Sequence, residues 1–303
     1  MKSYYDIVAD GGSDVVGQVT DQARRVADRL STVANVVAVM SGKGGVGKST
    51  VTANLAAVLA GRGLLVGILD ADINSSSIAR ITGVLGSEIR HGAAGVVPAV
   101  AEPGIKVMSV DLFLSADGEP VLWDAPTQRD AFTWRTMMEM AALREFLSDT
   151  EWGTLDFLLI DLPPGTDRLP NIADLVPQLA GSIVVTIPSE ISQFVVQKAI
   201  SMAESVTGAP IIGIVENMAS HVCAHCGHEQ ELFPDGNVEQ MAYRLGVPYL
   251  ARVPFDRRMA VSADRGVPFV IACGESPAVG AFEKIADRVA AFCAAIVPPV
   301  GAT

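Results

Sequence analysis

The stretch from Val36 to Thr50, VVAVMSGKGGVGKST, restricts the folds open to this chain more than any other segment. A β-branched run, Val36 to Val39, leads into Gly42-Lys43-Gly44-Gly45-Val46-Gly47-Lys48-Ser49, which satisfies G-x-x-x-x-G-K-[ST] at every fixed position. In a loop of this kind glycines let backbone N–H groups close around phosphate oxygens. The lysine reaches the outer phosphates, and the hydroxyl after it ligates Mg²⁺. Lys48 and Ser49 take those two places, and Gly42, Gly44, Gly45, Val46 and Gly47 form the cradle. Thr50 is the last candidate nucleotide contact and opens a helical stretch to Leu59, whose N-terminal dipole favours an anion. Strand, loop and helix in this order predict a parallel α/β fold built around the phosphates of a nucleotide and Mg²⁺.

The rest of the chain repeats that alternation. Strand-like runs fall at Leu65–Leu69, Lys106–Val110, Phe157–Ile160, Ile183–Ile187, Ile211–Val215 and Tyr249–Val253. Helical runs fall at Trp134–Leu147, Ile191–Val206, Val238–Leu245 and Ala278–Ala295. The pattern predicts a doubly wound, mostly parallel sheet flanked by helices on both faces, with ligands at the carboxyl ends of the strands. Residues 1–34 read as a helical extension, with Val15, Val19, Ala23, Val26 and Leu30 on one side and Arg24, Arg25 and Asp28 on the other. Residues 35–303 read as one nucleotide-binding domain, with irregular stretches at Gly118–Arg129 and Met218–Gly236. Half of the 303 residues are hydrophobic, yet no apolar run reaches the roughly 18 residues of a membrane span. Met1 to Asp10 carries Lys2 with no apolar run behind it, so no secretory leader is expected. A net charge of −12 argues against nucleic acid as partner, because binding there rests on clustered cations.

Two acidic motifs complete the phosphate site. Leu155-Asp156-Phe157-Leu158-Leu159-Ile160-Asp161 reads as a buried strand ending in a carboxylate, and Asp161 is placed to hold Mg²⁺, usually through water. Leu69-Asp70-Ala71-Asp72 ends another strand in an acidic pair, where Asp72 is placed to orient the attacking water. Helix capping is the competing role for Asp161 and, more strongly, for Asp72. Lys43 has two readings as well. It is a second cation that lowers the charge repulsion of the triphosphate, or a solvated loop lysine.

All four cysteines lie in the last third of the chain, a usage that fits a reducing cytoplasm. Cys223 and Cys226 form a C-x-x-C pair with His221, His225 and His228 nearby. Two thiolates are half of a tetrahedral set. The same loop from a second copy completes Cys₄, which suits a [4Fe–4S] cluster bridging a homodimer. Zinc, as Cys₂His₂ or shared Cys₄, fits the same residues, and so does no metal at all. A thioredoxin-like pair fits less well, since no helix starts at the first cysteine. Cys273 and Cys293 stand alone in apolar surroundings and read as packed thiols.

The form K-G-G-x-G-K-[ST] resembles the deviant phosphate loop of the MinD/ParA/nitrogenase-iron-protein/Mrp superclass. DLPPGT at 161–166, ENM at 216–218, VPFD at 253–256 and the C-x-x-C at 223–226 narrow the resemblance to Mrp-type iron–sulfur cluster carrier ATPases, from about Val36 to Ala290. It implies that Lys43 reaches across a sandwich dimer to the partner's phosphates, that Asp161 is the Mg²⁺-linked carboxylate, and that Asn217 contacts adenine. It further implies that Asp72 serves hydrolysis, that turnover is slow, and that the cysteine pair holds a cluster for transfer to apo iron–sulfur proteins. The chain departs from the family pattern at Ser75-Ser76-Ser77, where Gly-Pro-Ser is usual. It departs again at Thr166-Asp167-Arg168 for T-G-D, and at Trp134-Arg135-Thr136-Met137-Met138 for W-R-G-P-M. Losing Gly and Pro predicts a less constrained loop after Asp72. Two other functions share the phosphate loop: a MinD- or ParA-like positioning ATPase without metal, and a zinc or nickel metallochaperone. A basic amphipathic tail would mark membrane binding of the MinD kind, but Ile285–Thr303 holds one basic residue, Arg288.

Overall fold

The β-branched run that leads into the glycine loop forms the middle of the molecule. A computed structural model describes residues 15–114, 131–166, 168–222, 226, 228–233 and 236–296. The 118–129 loop, Asp167, His225 and Cys223 therefore lie outside the described residues. In chain order, helix α1 (Val15–Leu30) precedes strand β1 (Val33–Met40), helix α2 (Lys48–Gly61) and strand β2 (Val66–Asp70). A short helix α3 (Ile78–Ile81) and four short strands follow: β3 (Arg90–His91), β4 (Val96–Val97), β5 (Ala99–Ala101) and β6 (Ile105–Met108). Next come α4 (Ala131–Asp149), β7 (Leu155–Asp161), α5 (Arg168–Leu175), β8 (Leu179–Thr186), α6 (Glu190–Val206) and β9 (Ile211–Glu216). The last part holds the strands β10 (Ser220–Val222) and β11 (Glu229–Glu231), then α7 (Val238–Leu245) and β12 (Tyr249–Arg252). Helices α8 (Arg258–Asp264), α9 (Phe269–Ala272) and α10 (Pro277–Ile296) close it.

Eight strands form the main sheet in the order β12-β9-β8-β1-β7-β2-β6-β5. Every pairing in it is parallel except β5 with β6. Side chains alternate across a strand, so β1 feeds two cores. Val37 and Val39 pack with Leu55 and Leu59 of α2 and Ile285 and Val289 of α10. Val36, Ala38 and Met40 pack on the opposite face with Leu143 and Leu147 of α4, Ile172 of α5, and Val196 and Ile200 of α6. Val26 and Leu30 of α1 belong to this second layer. Helix α2 is apolar nearly all round because it is covered on both sides, burying Val51, Ala53, Leu55, Ala56 and Leu59.

Register brings the chemistry together. Val39 pairs with Asp161, and Asp70 pairs with Asp161, so the ends of β1, β7 and β2 form one rim, the place where parallel sheets bind ligands. All six expected strands shift a limit by a residue or more, and in two the cause is plain. The Lys106–Val110 run stops at Met108, because Ser109 accepts a hydrogen bond from the Asp111 N–H and starts a 3₁₀ turn, Val110–Phe113. Strand β8 begins at Leu179, well before Ile183, since Leu179 to Ser182 pair with β1 and β9 despite Gly181. Among the described residues no helix is long and apolar enough to cross a membrane.

Candidate phosphate-binding site and cysteine hairpin

Gly45 and Gly47 hold φ of +78° and +82°, a left-handed backbone that side-chain-bearing residues rarely adopt. Gly47 occupies the N-cap of α2, so the unpaired N–H groups of that helix's first turn face the loop. A cavity of about 410 Å³ lies there, bounded by Gly44 to Thr50 on one side and by Asp72, Ser75, Ser77 and Pro164 on the other. Gly42 sits against α6, where an added Cβ would lie 2.6 Å from Val195 Cγ1.

Asp161 is fully buried at the end of β7. Its Oδ2 accepts from Lys48 Nζ and from Ser49 Oγ, both at 2.6 Å, and its Oδ1 accepts from Thr52 Oγ1 at 2.6 Å. The ammonium and carboxylate compensate each other away from water, which is why neither is tolerable alone. A serine hydroxyl beside a carboxylate oxygen is a set of hard donors that fits Mg²⁺. Among the described residues Asp161 caps no helix. Thr52 was not anticipated, although it follows Ser49 by three residues and so shares its helical face.

The acidic pair divides its labour. Asp72 lines the cavity, and burial pushes its carboxyl above the usual range while Lys48 opposes that shift. Asp70 is buried. Its Oδ1 accepts from the Asp72 N–H at 3.2 Å, and its Oδ2 accepts from the Ser77 and Ile78 N–H groups at 3.0 Å each. Burial, and then the charge of Asp161, push the Asp70 carboxyl up to about 7. Capping the first turn of α3, weighed for Asp72 from the sequence, thus falls to Asp70. The loop from Asp72 to α3, expected to be less constrained, makes two hydrogen bonds of its own. Ser76 Oγ donates to Asp111, and the Ser75 N–H donates to the Asp72 carbonyl at 3.1 Å.

Asn217 is buried behind the glycine loop. Its Nδ2 donates to the Val46 carbonyl at 2.8 Å, and its N–H donates to the Thr186 carbonyl at 2.7 Å. Lys43 is half-buried and does not line the cavity. Its carbonyl accepts from Ser41 Oγ at 3.0 Å, and its ammonium has no partner among the described residues.

The chain leaves Asn217 through Met218, whose φ of +54° is the one left-handed value at a non-glycine among the described residues. It then enters the antiparallel pair β10–β11, with Ser220 opposite Glu231 and Val222 opposite Glu229. The pair is anchored to the loop after β12: the Ala219 N–H donates to the Val253 carbonyl at 3.1 Å, and the Phe255 N–H to the Ser220 carbonyl at 2.6 Å. Cys226 is exposed between the two strands, as is His228. Among the described residues no group of three or more His, Cys, Asp or Glu is arranged to hold a metal ion. Cys293 is buried, and burial pushes its thiol up to about 11, so it packs as an inert apolar group.

The model of the ParA family, described as NUBPL iron-transfer P-loop NTPase, matches residues 32–290. The chain is 40% identical over 272 residues to an iron–sulfur cluster carrier protein of Methanocaldococcus jannaschii, covering 89% of each chain. It is 40% identical over 266 residues to one from Saccharolobus solfataricus, covering 88% of this chain and 86% of that one. Among solved structures it is similar to a nucleotide-binding protein of Archaeoglobus fulgidus in complex with ADP. There the TM-score is 0.69 and the identity 36%, over 81% of this chain and 92% of the other.

Proposed function

The chain belongs to the ParA family of NUBPL-type iron-transfer P-loop NTPases, and from that premise we propose that it carries an iron–sulfur cluster to apo-proteins under the control of Mg-ATP. It works as a cytoplasmic homodimer, without nucleic acid or membrane as partner. The observation that carries this reading is the physical join between its two candidate sites. Asn217 bonds the glycine loop and opens the segment that becomes the cysteine hairpin.

Lys48 and the N–H groups of Gly44 to Thr50 hold the triphosphate, and the Ser49 hydroxyl and Asp161 would hold Mg²⁺ beside it. Mg²⁺ supplies charge neutralisation at the phosphates. Asp72 faces the same cavity and takes the proton of the attacking water as the bond to the leaving ADP breaks. Its raised carboxyl makes it a better base than an exposed aspartate. Asn217 serves the adenine side. Lys43 stands outside the cavity of its own chain and acts on the partner's nucleotide, so the site is complete only in the dimer. Hydrolysis by an isolated chain is therefore slow. Cys223 and Cys226 from each copy hold one [4Fe–4S] cluster as cargo, and transfer exchanges these four thiolates for those of the acceptor.

The test is anaerobic reconstitution followed by metal analysis and ATP turnover on one preparation. Two irons per chain, lost together with visible absorbance in the Cys223→Ala/Cys226→Ala variant while ATP binding persists, is the expected result. Zinc at one per dimer with no iron retained would replace this reading with a zinc metallochaperone on the same scaffold.

A further inference from the structure

Two loops face the nucleotide cavity, one after β2 and one after β7, and a single carboxylate joins them. Glu139 projects from α4 and is largely buried, with 13% of its side chain exposed. Its Oε1 accepts from Asn74 Nδ2 at 2.6 Å, two residues beyond Asp72. Its Oε2 lies 3.7 Å from Arg168 Nη1, the first residue of α5, just past the 161–166 loop. We propose that Glu139 is a positioning residue that locks the two nucleotide-facing loops to one another and so sets the place of Asp72 during hydrolysis.

The proposal rests on the ATPase reading above. Three features support it. Asn74 and Asp72 share a loop whose far end is fixed by Asp70 at Ser77 and Ile78, so a tether at Asn74 restrains the half that carries Asp72. The positive charge of Arg168 is felt at Asp72. A carboxylate that holds this guanidinium therefore fixes the field at the proposed base as well as the loop. Finally, α4 itself is not free to drift. Leu143 and Leu147 are buried in the second core, and Arg144 Nη1 donates to Gln22 Oε1 of α1 at 2.9 Å. Glu139 thus stands on a fixed support and reaches two segments beside the nucleotide cavity, which makes it a mechanical link between segments that do not adjoin in sequence.

Three variants of the full chain separate this role from simple fold support. Glu139→Gln retains an oxygen for Asn74 and removes the charge facing Arg168, Glu139→Ala removes both, and Asn74→Ala cuts one arm. In Glu139→Ala, kcat is expected to fall about tenfold while the affinity for ADP changes less than about twofold. Glu139→Gln should lie between that variant and wild type. Asn74→Ala combined with Glu139→Ala should cost less than the sum of the two separate losses, since both cut the same link. Unchanged kcat in Glu139→Ala overturns the proposal. So does a fall in kcat matched by equal losses of ADP affinity and thermal stability, which would make Glu139 a fold residue. Hydrogen exchange gives a readout that needs no turnover. ADP should slow exchange in residues 72–78 and 162–170 together in wild type, and in one segment without the other in Glu139→Ala. Paired protection in both proteins overturns the link. Absence of ATP turnover in wild type would instead refute the ATPase reading, and leaves this exchange test standing.

Discussion

At the scale of single residues the site is governed by what cannot be left alone in a dry interior. Lys48 and Asp161 are 6% and 0% exposed, and removing one of such a pair costs about 3–5 kcal/mol by stranding the other. Lys48→Ala is therefore expected to abolish ATP binding and also to lower the thermal midpoint. Asp72→Asn, at a half-buried position with no such partner, should bind ATP and lose turnover. Equal turnover in wild type and Lys48→Ala would remove the loop from the mechanism. Gly47 yields a second expectation. An alanine there adopts a left-handed backbone at a cost of about 1–2 kcal/mol, and its Cβ would lie 2.3 Å from Asn217 Nδ2. Gly47→Ala should destabilise the protein, and Asn217→Ala in the same chain should return part of the loss by removing the collision. Strictly additive losses in chemical unfolding would show that the two residues do not press on each other.

At the scale of elements, what could be read in advance followed burial. The runs at Val36–Val39, Phe157–Ile160 and Ile211–Val215 are strands because parallel strands covered on both faces need unbroken apolar residues. Helix α7 ran as expected from Val238 to Leu245, its Asn237 cap and Gly246 terminator being strong local signals. Strands β5, β10 and β11 were not legible. They are three residues each, too short to show an alternation, β11 reads Glu-Gln-Glu, and β5 and β10 each pair with the next strand along the chain. The loop motifs named Lys48, Ser49 and Asp161, but no pattern announced that Asp70 would cap α3 or that Glu139 would reach Asn74, since both depend on where separate elements come to rest. Packing of the last helices rests on a similar long-range contact. Asp256 accepts from Arg258 Nη2 at 2.6 Å and from Ser276 Oγ at 2.9 Å, fixing the start of α8 against the start of α10. The Arg258 guanidinium chiefly holds this carboxyl down, to about 2 from an ordinary 3.8. Its folded value lies below its unfolded one, so its stabilisation is complete above 3.8 and is lost as pH falls through 2. In urea unfolding, Asp256→Asn should be clearly weaker than wild type well above pH 3.8, and the gap should shrink toward pH 2. A gap independent of pH would mean that shape rather than charge holds the joint.

At the scale of the whole molecule, the reading requires two copies for both tasks. Lys43 stands outside its own cavity, and one chain carries half of a cysteine set. Mixing Lys43→Ala with Asp72→Asn chains should restore turnover, because one of the two composite sites in a mixed dimer is intact. Mixtures silent at every ratio would return Lys43 to the role of a solvated loop residue. The short path from Asn217 to Cys223 has a further consequence, one of length. Six peptide steps span at most about 22 Å even when fully drawn out, whatever course the chain takes between them. On the cluster-carrier proposal, a reduced cluster on Cys223 would be held by this length to the neighbourhood of the nucleotide loop, close enough for one electron spin to disturb another. With Mn²⁺ in place of Mg²⁺ beside the nucleotide, the cluster's paramagnetic signal should relax measurably faster than with Mg²⁺, which turns this segment into a ruler that can be read without crystals.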